Sequence, residues 1–409
     1  MKILHVISQP PDFTGSGKVL RQIIFQSRNF GHENFLLAGV EQGAELLPAL
    51  VGTDHCLSVH FGGPDLSFTL PGMSDIMPYP SRRFSSLTAE EIDQYRQVFT
   101  RKIHQAIDWF RPDILHTHHL WMVSALVRSA GRQISMVTTC HGTCLRQHHL
   151  CPELGRTLLE ALRQIDRVIS LSQDQKQTIV DSLGIAPEVI DVISGGVDQT
   201  CFFHVPKRCE GTVHLVYAGK LSTAKGLPWL LSSLEKLGDL PFQLHIAGTS
   251  SGPEQQMCLD LAGRLGAKAL CYGALSHEDL GKLMQKAHIF VLPSFFEGLP
   301  LVLMEAAACG CKIITTSLGG VRELFGTGEN PMVEMIDLPR LETIDQPYMS
   351  DMPVLEQCLA DVLRRNIEQV LSGSLPDAAC ATDFSQRFTW EKIFLKIQAV
   401  YQELSERVR

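Results

Sequence analysis

Two acidic side chains, Glu297 and Glu305, stand eight positions apart in the stretch SFFEGLPLVLMEAAACG. Glu297 follows a short apolar run and falls in a predicted loop, whereas Glu305 falls in a predicted helix that is apolar nearly all round. Such a helix is buried, and a buried carboxylate is costly without a partner. Glu305 therefore either caps a neighbouring element or holds hydroxyl groups of a ligand. In the second case Glu297 grips the other end of that ligand.

An anion site is predicted beside these acids. Pro300 suits the first turn of a helix, and the backbone N–H groups around Leu299 to Leu301 have no acceptor in a preceding turn. Upstream, GKLSTAKG places Lys220 and Lys225 in the loop after another predicted strand. Two compact positive charges suit a diphosphate. A solvated pair of lysines is the alternative.

A glycine loop follows the first predicted strand, in QPPDFTGSGK. It is not a phosphate-binding P-loop, because Asp12 stands where a glycine is needed and Val19 where Ser or Thr is needed. It is not a dinucleotide fingerprint either, because that motif needs Gly or Ala at Leu20. Gly15 and Gly17 remain as positions that let the backbone approach a ligand closely, with a simple tight turn as the alternative.

Histidines follow two predicted strands of the first half. The strand Asp113 to His116 leads into HTHHLW, and the strand Ile134 to Thr139 leads into CHGTC. His118, His119 and His141 thus stand at strand ends, where open α/β sheets keep their sites. Imidazoles can donate to a phosphate or a sugar hydroxyl. His141 is the strongest candidate, whereas a packed or surface position is the alternative for His118 and His119.

Two further regions are candidates to face an acceptor. Tyr79 falls in a Pro-, Gly- and Ser-rich segment from 62 to 86, and Arg146 falls in CHGTCLRQHHLC. Long surface segments inside a compact domain are usually functional or disordered. The second stretch holds three Cys and three His, but Cys140 and Cys144 lack a second pair at zinc-finger spacing. No metal site is therefore predicted.

Length and patterning set the domain organisation. A chain of 409 residues exceeds one ordinary core, so two domains are predicted, with the boundary in the connector from about Gln199 to Thr212. Predicted strands and helices alternate in both halves, which is typical of parallel α/β sheets. Residues 326 to 351 are predicted to be irregular, and helices over about 354 to 372 and 389 to 406 close the chain.

Composition restricts the partners and the compartment. The net charge of −8 argues against a general nucleic-acid binder. The sequence shows neither an apolar run long enough for a membrane span nor a signal peptide, and its 12 cysteines are expected to be reduced thiols. These features predict a cytoplasmic protein, with a position at the inner face of a membrane left open.

The motifs together resemble those of the retaining GT-B glycosyltransferases of family 4, the glycosyltransferase group 1 family. They are E-x7-E at Glu297 and Glu305, GKL…KG, SLGGVREL and VISGGVD. The resemblance implies an α/β GT-B architecture: two Rossmann-like doubly wound domains that face a cleft, and a C-terminal helix that returns to the N-terminal domain. The implied limits are 1–200 for an acceptor-binding domain, 201–385 for a nucleotide-sugar-binding domain and 386–409 for the returning helix.

The resemblance also implies roles for individual residues. Lys220 and Lys225 hold the donor diphosphate, although the family usually has Arg at the first position, so Lys220 keeps the charge without the bidentate fork. Glu305 binds ribose hydroxyls, and Glu297 holds the donor sugar. The catalytic set is Glu297, His141 and Lys225; the donor-binding set is Gly15, Gly17, Lys220, Lys225, Gly298, Leu299, Leu301, Val302 and Glu305; the acceptor-facing set is His118, Arg146 and Tyr79.

The implied activity is transfer of a sugar, of hexosyltransferase type, from a UDP- or GDP-type sugar to an acceptor hydroxyl, with retained anomeric configuration and without a metal or other cofactor. The acceptor is left open among lipid-linked substrates, glycans and small molecules, as is peripheral membrane contact. One alternative is a nucleotide-sugar epimerase or hydrolase of the same fold, but the sequence does not identify the acids it needs. A binding protein without turnover is the other alternative, and it would have lost site residues that are present here.

Overall fold

The computed structural model describes residues 1–11, 14–44, 46, 55–74, 77–327 and 330–407. Its internal contacts divide the chain into two compact units. Unit 1 comprises Met1–Gly195 together with Trp390–Arg409, and unit 2 comprises Gly196–Thr389. The predicted segment from 62 to 86 is described except for residues 75 and 76, and Asp12 of the glycine loop also lies outside the described residues.

Unit 1 is built on a parallel sheet of seven strands. Those strands are β1 (Lys2–Ile7), β2 (Glu33–Glu41), β3 (Cys56–Phe61), β6 (Ile114–His118), β7 (Ser135–Thr139), β8 (Arg167–Ser170) and β9 (Ile190–Val192), while β4 (Pro71–Gly72) and β5 (Arg82–Arg83) pair separately. The order β3-β2-β1-β6-β7-β8-β9 reverses direction between β1 and β6. Every residue of β6 and β7 is buried, as expected for a parallel sheet that is covered on both faces.

Helices connect these strands and cover the sheet. They are α1 (Gly15–Asn29), α2 (Ala89–Phe110), α3 (Met122–Ala130), α4 (Thr143–Leu150), α5 (Pro152–Leu162) and α6 (Gln173–Leu183). Gly17 of α1 is required by packing, because a Cβ there would lie 2.4 Å from the Pro11 carbonyl oxygen. No atom of the described residues lies within 4 Å of the Cβ position of Gly15. Close packing against Pro11 therefore requires glycine at position 17, whereas the described surroundings place no such requirement on Gly15.

Unit 2 repeats the design with a parallel sheet of six strands. Those strands are β10 (Val213–Ala218), β11 (Phe242–Ala247), β12 (Ala269–Gly273), β13 (Ile289–Leu292), β14 (Lys312–Thr316) and β15 (Val333–Ile336). Their order is β12-β11-β10-β13-β14-β15, so the direction reverses between β10 and β13. In such sheets ligands bind at the carboxyl ends of the two strands that flank the reversal.

The helices of unit 2 follow the predicted alternation. They are α7 (Leu227–Glu235), α8 (Pro253–Arg264), α9 (His277–Lys286), α10 (Leu301–Ala308), α11 (Gly319–Phe325), α12 (Met352–Leu371) and α13 (Ala378–Arg387). The prediction that residues 326 to 351 are irregular was wrong at β15, whose four residues, VEMI, are too few to give a clear periodic pattern. Helix α13 was not predicted, because AACATDFSQR lacks an extended apolar face.

The last helix, α14 (Trp390–Arg407), belongs to unit 1. Tyr401 Oη lies 2.6 Å from His116 Nδ1 in the core of that unit, and Arg167 forms an ion pair of 2.7 Å with Glu403. The helix therefore completes the packing of the first sheet, even though unit 2 separates it from that sheet in the sequence. Among the described residues, no helix combines the length and the apolarity needed to cross a bilayer.

Candidate active site

In unit 2 the loops after β10 and β13 are joined at the reversal point of the sheet. The Phe295 N–H donates to the Ala224 carbonyl at 3.0 Å. Gly226 makes this close approach feasible: its φ is +69°, and a Cβ there would lie 1.9 Å from the Pro293 carbonyl oxygen. A larger residue would push the two loops apart. The sequence therefore places the lysine loop and the acidic loop against each other.

The two loops bring Lys225 and Glu297 together. Lys225 Nζ lies 2.7 Å from Glu297 Oε1, and their side chains are 24% and 14% exposed. Lys225 Nζ is also 3.5 Å from the Phe296 carbonyl. Both charged groups are thus half-buried, where an ion pair is screened less than on an open surface. Both belong to the predicted catalytic set.

Ser294 holds the carboxylate of Glu297 in place. It was not among the site residues predicted from the sequence. Ser294 is 1% exposed, and its hydroxyl donates to Glu297 Oε1 at 2.9 Å. Its carbonyl accepts a bond of 2.6 Å from the Thr316 hydroxyl on the neighbouring strand β14. The spacing of Ser three positions before Glu297 is the signal that could have identified it. Glu297 Oε2 has no bond to any described residue, so it remains an open acceptor.

The rest of the lysine loop is held by two further bonds. Tyr217 donates its hydroxyl to the Lys220 carbonyl at 2.5 Å, and the Thr223 N–H donates to Glu254 Oε2 at 2.9 Å. Glu254 lies in the first turn of α8, 31 residues from Thr223. Sequence reasoning could not find this bond, because nothing local relates the two positions. Lys220 is half-buried at the end of β10.

The start of α10 lies next to the same loops. Pro300 is its N-cap, and no described side chain caps its first turn. Leu299 is buried, and Leu301 and Val302 are half-buried. A Cβ on Gly320, in the first turn of α11, would lie 2.6 Å from the Gly298 carbonyl. The predicted SLGG stretch therefore packs directly on the acidic loop.

Glu305 lies on α10 and is 5% exposed, which confirms the prediction that this helix is buried. The negative charge of Glu305 affects the pKa of the Cys201 thiol. Burial, together with the negative charges of Asp198, Glu278 and Glu305, raises the pKa of Cys201. The position of Glu305 is compatible with either a structural acid or a ligand-binding one.

In unit 1 the loops after β1 and β6 also meet at the reversal point of the sheet. His119 Nε2 lies 3.1 Å from the Ser16 hydroxyl, and Gln9 donates to Ser16 at 2.7 Å and to Thr14 at 3.0 Å. Tyr79 donates its hydroxyl to Gln9 Oε1 at 3.3 Å. Tyr79 and the glycine loop are therefore brought together through Gln9 and Ser16. Sequence reasoning had singled out neither of these two polar residues.

The histidines predicted to face substrates differ in exposure. His141 is partly exposed, whereas His118 is fully buried, and its Nδ1 lies 3.2 Å from His141 Nε2. The two rings are stacked with an interplanar angle of 15°. Burial lowers the pKa of both residues well below its ordinary value, and neighbouring histidines lower it further. Both imidazoles are therefore neutral at pH 7. Arg146 lies partly buried on α4.

A second histidine group invites a metal-site hypothesis. Nitrogen atoms of His5, His116 and His118 lie within 4.8 Å of one another, and all three residues are fully buried. However, the two nitrogens of His116 already contact the Tyr401 and Thr139 hydroxyls at 2.6 and 2.8 Å. This leaves His5 Nδ1 and His118 Nε2 as nitrogens without a partner in the described part of the chain. Two open nitrogens do not make a zinc ligand set.

Comparisons with known proteins agree with this architecture. Residues 202–334 match the family described as Glycosyl transferases group 1, and residues 44–200 match Glycosyltransferase Family 4. Over 231 residues the chain is 28% identical to a glycogen synthase of Mycobacterium tuberculosis, covering 54% of this chain and 56% of that protein. Over 316 residues it is 25% identical to a component of the human phosphatidylinositol N-acetylglucosaminyltransferase, covering 76% of this chain and 60% of that protein. The chain thus spans less than two thirds of either relative.

Solved structures show the same fold. The sucrose-phosphate synthase of Thermosynechococcus elongatus superposes with a TM-score of 0.73 at 18% identity, over 99% of both chains. Anabaena HepE in complex with UDP-glucose gives a TM-score of 0.69 at 17% identity, over 98% of this chain and 100% of that one. The predicted GT-B fold class is confirmed. From the two matched families and this fold, the chain belongs to the group 1 glycosyltransferases, glycosyltransferase family 4.

Proposed function

We propose that this protein transfers a hexosyl group from a nucleotide diphosphate sugar to an acceptor hydroxyl, with retention of the anomeric configuration. The observation that carries the proposal is the Lys225–Glu297 ion pair of 2.7 Å at the reversal point of the second sheet. It places a cation and a carboxylate beside the first turn of α10, which is the combination that a sugar diphosphate requires. Hydroxyl groups need an acceptor, and the diphosphate needs positive charge.

The proposed chemistry depends on charge that develops in the diphosphate. When the bond between the anomeric carbon and the phosphate oxygen breaks, the departing diphosphate gains negative charge. Lys225, Lys220 and the amide groups of Leu301 and Val302 are proposed to stabilise that charge, because such preorganised groups act most strongly where charge appears in the transition state. These groups also form the basis for proposing that the reaction needs no metal ion.

Glu297 is proposed to hold the donor sugar. Its Oε1 is occupied by Lys225 and Ser294, whereas Oε2 remains open to a sugar hydroxyl. With Oε1 fixed from two sides, the carboxylate has little freedom to rotate, so it positions the sugar for the reaction. Gly298 is proposed to add backbone contacts to the sugar, and Glu305 to bind the ribose.

Retention is proposed through a reaction in which the acceptor attacks on the same face that the diphosphate leaves. Among the described residues of unit 1 no acid is identified as a nucleophile for a covalent intermediate, and family resemblance favours the same-face route. His141, neutral at pH 7, is proposed to donate to a substrate hydroxyl from unit 1. Tyr79, Arg146 and the segment around them are proposed to select the acceptor.

The donor is proposed to be a UDP-sugar ahead of a GDP-sugar, since the fold neighbour HepE was solved with UDP-glucose and a pneumococcal O-GlcNAc transferase was solved with UDP and GlcNAc. The acceptor is proposed to be a lipid-linked substrate, a glycan or a small molecule, handled in the cytoplasm or at the inner membrane face. The relatives described above are transferases or synthases by name, so they lend no support to the epimerase or hydrolase alternative.

A donor panel tests the proposal. The purified protein is incubated with UDP-, GDP- and ADP-sugars, with and without acceptor extracts, and nucleotide release and product are followed by mass spectrometry. We expect acceptor-dependent release of a nucleoside diphosphate that Glu297→Gln reduces about 100-fold, as typical for loss of a positioning carboxylate. Glu278→Gln, on the exposed surface of α9, is the matched control and should leave turnover unchanged. Full turnover by Glu297→Gln would disprove the site, and a product formed without acceptor would favour the epimerase or hydrolase.

A further inference from the structure

The loop from Cys140 to Cys144 contains two thiols that the proposed transfer reaction does not use. Their Sγ atoms lie 3.3 Å apart, and both side chains are fully buried. A disulfide bond is about 2.0 Å long, so the sulfurs need to approach by only about 1 Å. We infer that Cys140 and Cys144 form a reversible disulfide, which makes this loop a redox-sensitive modification site. Its effect on activity rests on the proposed function.

The two thiols have different surroundings. Cys144 is the second residue of α4, where the helix dipole favours a thiolate. Burial raises the pKa of Cys144, but the hydrogen bonds with Cys140 and His119 outweigh this effect and hold the pKa well below its ordinary value. Burial raises the pKa of Cys140. The loop thus combines a nucleophilic thiolate at Cys144 with a thiol at Cys140 that remains protonated until the second step of the exchange.

The oxidant of the proposed step is a low-molecular-weight disulfide such as glutathione disulfide. The Cys144 thiolate attacks one sulfur of that disulfide, and the first glutathione leaves as a thiolate. Cys140 then loses its proton and attacks Cys144 Sγ, which releases the second glutathione. Two electrons pass from the protein dithiol to glutathione, and the two thiol protons are taken up by the two glutathione thiolates. Because both sulfurs are buried, the exchange proceeds through local opening of the loop.

The disulfide would enclose a residue of the predicted catalytic set. The ring closed by Cys140 and Cys144 contains His141, Gly142 and Thr143. His141 contacts His118 at 3.2 Å, and the Thr143 hydroxyl lies 3.4 Å from His119 Nδ1. Drawing the two ends of so short a loop together moves the residues between them. Since a displacement of 1 Å can lower a rate about 100-fold, we expect turnover to fall about tenfold or more on oxidation.

Equilibration in glutathione redox buffers tests the inference. The full-length protein is held at a series of ratios of reduced to oxidised glutathione until its thiol content is constant, and it is then quenched, digested with trypsin and assayed in parallel. Residues 133–146 form one tryptic peptide that contains both cysteines. We expect this peptide to lose two hydrogens at oxidising ratios, with a matching fall in transferase activity, and dithiothreitol to restore both.

Three variants make the result specific. Cys358→Ser, at an exposed position of α12, should behave like the wild type, and Cys144→Ser should show the same activity in reducing and oxidising buffers. Cys140→Ser can go no further than the mixed disulfide between Cys144 and glutathione, so its peptide should gain one glutathione instead of losing two hydrogens. Circular dichroism establishes that each variant is folded. A peptide that keeps both thiols at every ratio would overturn the inference, as would a disulfide that leaves turnover unchanged. If the reduced wild type transfers no sugar, the proposed function fails, but the peptide mass still decides whether the disulfide forms.

Discussion

Lys225 Nζ lies 2.7 Å from Glu297 Oε1, although 72 positions separate the two residues in the chain. The contact exists because β10 and β13 are neighbours in the sheet, so the loops that follow them lie side by side. Each side chain restrains the other, and the Ser294 hydroxyl donates to the same carboxylate oxygen. A change to any of the three residues should therefore be measurable in the transfer reaction.

Replacing the cation should lower both donor affinity and rate. Lys225→Ala removes the charge that is proposed to face the diphosphate and leaves Glu297 half-buried without this ion-pair partner. We expect kcat/KM for the nucleotide sugar to fall about 100-fold or more, corresponding to about 3 kcal/mol. Lys282→Ala, which removes an exposed lysine from an ion pair on α9, should be neutral. Steady-state kinetics that show equal kcat/KM for the Lys225 variant and the wild type would contradict the assignment.

Removing the Ser294 hydroxyl that donates to Glu297 should lower the rate of transfer with little effect on nucleotide binding. Ser294→Ala deletes one bond to Glu297 but leaves both charges in place. We expect kcat to fall about tenfold because the carboxylate is less well positioned, with little change in the affinity for UDP alone. Kinetics and calorimetry with UDP measure the two effects. A merely structural serine would instead lower the unfolding temperature with kcat intact.

Acid should destabilise unit 1 through its buried histidines. Burial lowers the pKa of His5 from 6.5 to about 4, and its hydrogen bond to Asn34 opposes only part of that effect. As the pH falls below 6.5, His5 becomes protonated in the unfolded chain, whereas in the folded protein it stays neutral until about pH 4. The free energy of unfolding that is present above pH 6.5 is therefore progressively lost between pH 6.5 and pH 4. At pH 5 the loss from one such histidine is about 2 kcal/mol.

Thermal unfolding between pH 7.5 and 4.5 checks this expectation. His5→Gln cannot take up the proton, so its unfolding temperature should depend less on pH than that of the wild type, even if it is lower at pH 7.5. His149→Gln, at an exposed position of α4, serves as the control and should keep the wild-type pH dependence. Parallel pH curves for His5→Gln and the wild type would show that this residue is not a source of the acid sensitivity.

Alanine variants of two glycines distinguish the cost of an unfavourable backbone conformation from the cost of disturbing the contact between two loops. Gly226 and Gly252 both have positive φ, +69° and +77°. Within the described part of the chain, Gly226 has an atom near its Cβ position, the Pro293 carbonyl oxygen at 1.9 Å, whereas Gly252 has none within 4 Å. Gly252→Ala should cost about 1–3 kcal/mol for its backbone conformation alone, because φ of +77° with ψ of −161° is a combination that essentially only glycine adopts. Gly226→Ala should destabilise the protein more and lower activity, since it separates the two loops of the site. Chemical denaturation and kinetics measure both variants, and equal losses would show that the contact with Pro293 is unimportant.

The strands and helices of the site could be predicted because single residues mark where they begin and end. The run Ile289–Leu292 is apolar and ends at Pro293, while the helix after Pro300 is apolar and ends before Gly310. Strands β13 and β14 occupy the predicted positions. Short elements without such signals, β15 and α13, were missed. Local sequence was therefore sufficient where burial on all sides gives a continuous apolar run.

The contacts of the site could not be predicted in the same way. Which loops touch depends on strand order, which no local pattern encodes. Gln9 and Ser16 connect Tyr79 to His119 only after β1 and β6 have become neighbours. The burial of His118 likewise depends on the strands beside it, so its spacing from His141 indicated proximity but not that it lies beneath the surface.

The bond between Tyr401 and His116 has a consequence for how the chain is synthesised and folds. The residues of α14 emerge from the ribosome after all of unit 2, yet they fill the core of unit 1. Unit 2 is continuous in sequence, whereas unit 1 also requires α14, which is synthesised after unit 2. During translation, His116 of the earlier-made sheet therefore lacks the hydroxyl of Tyr401 until α14 has been synthesised.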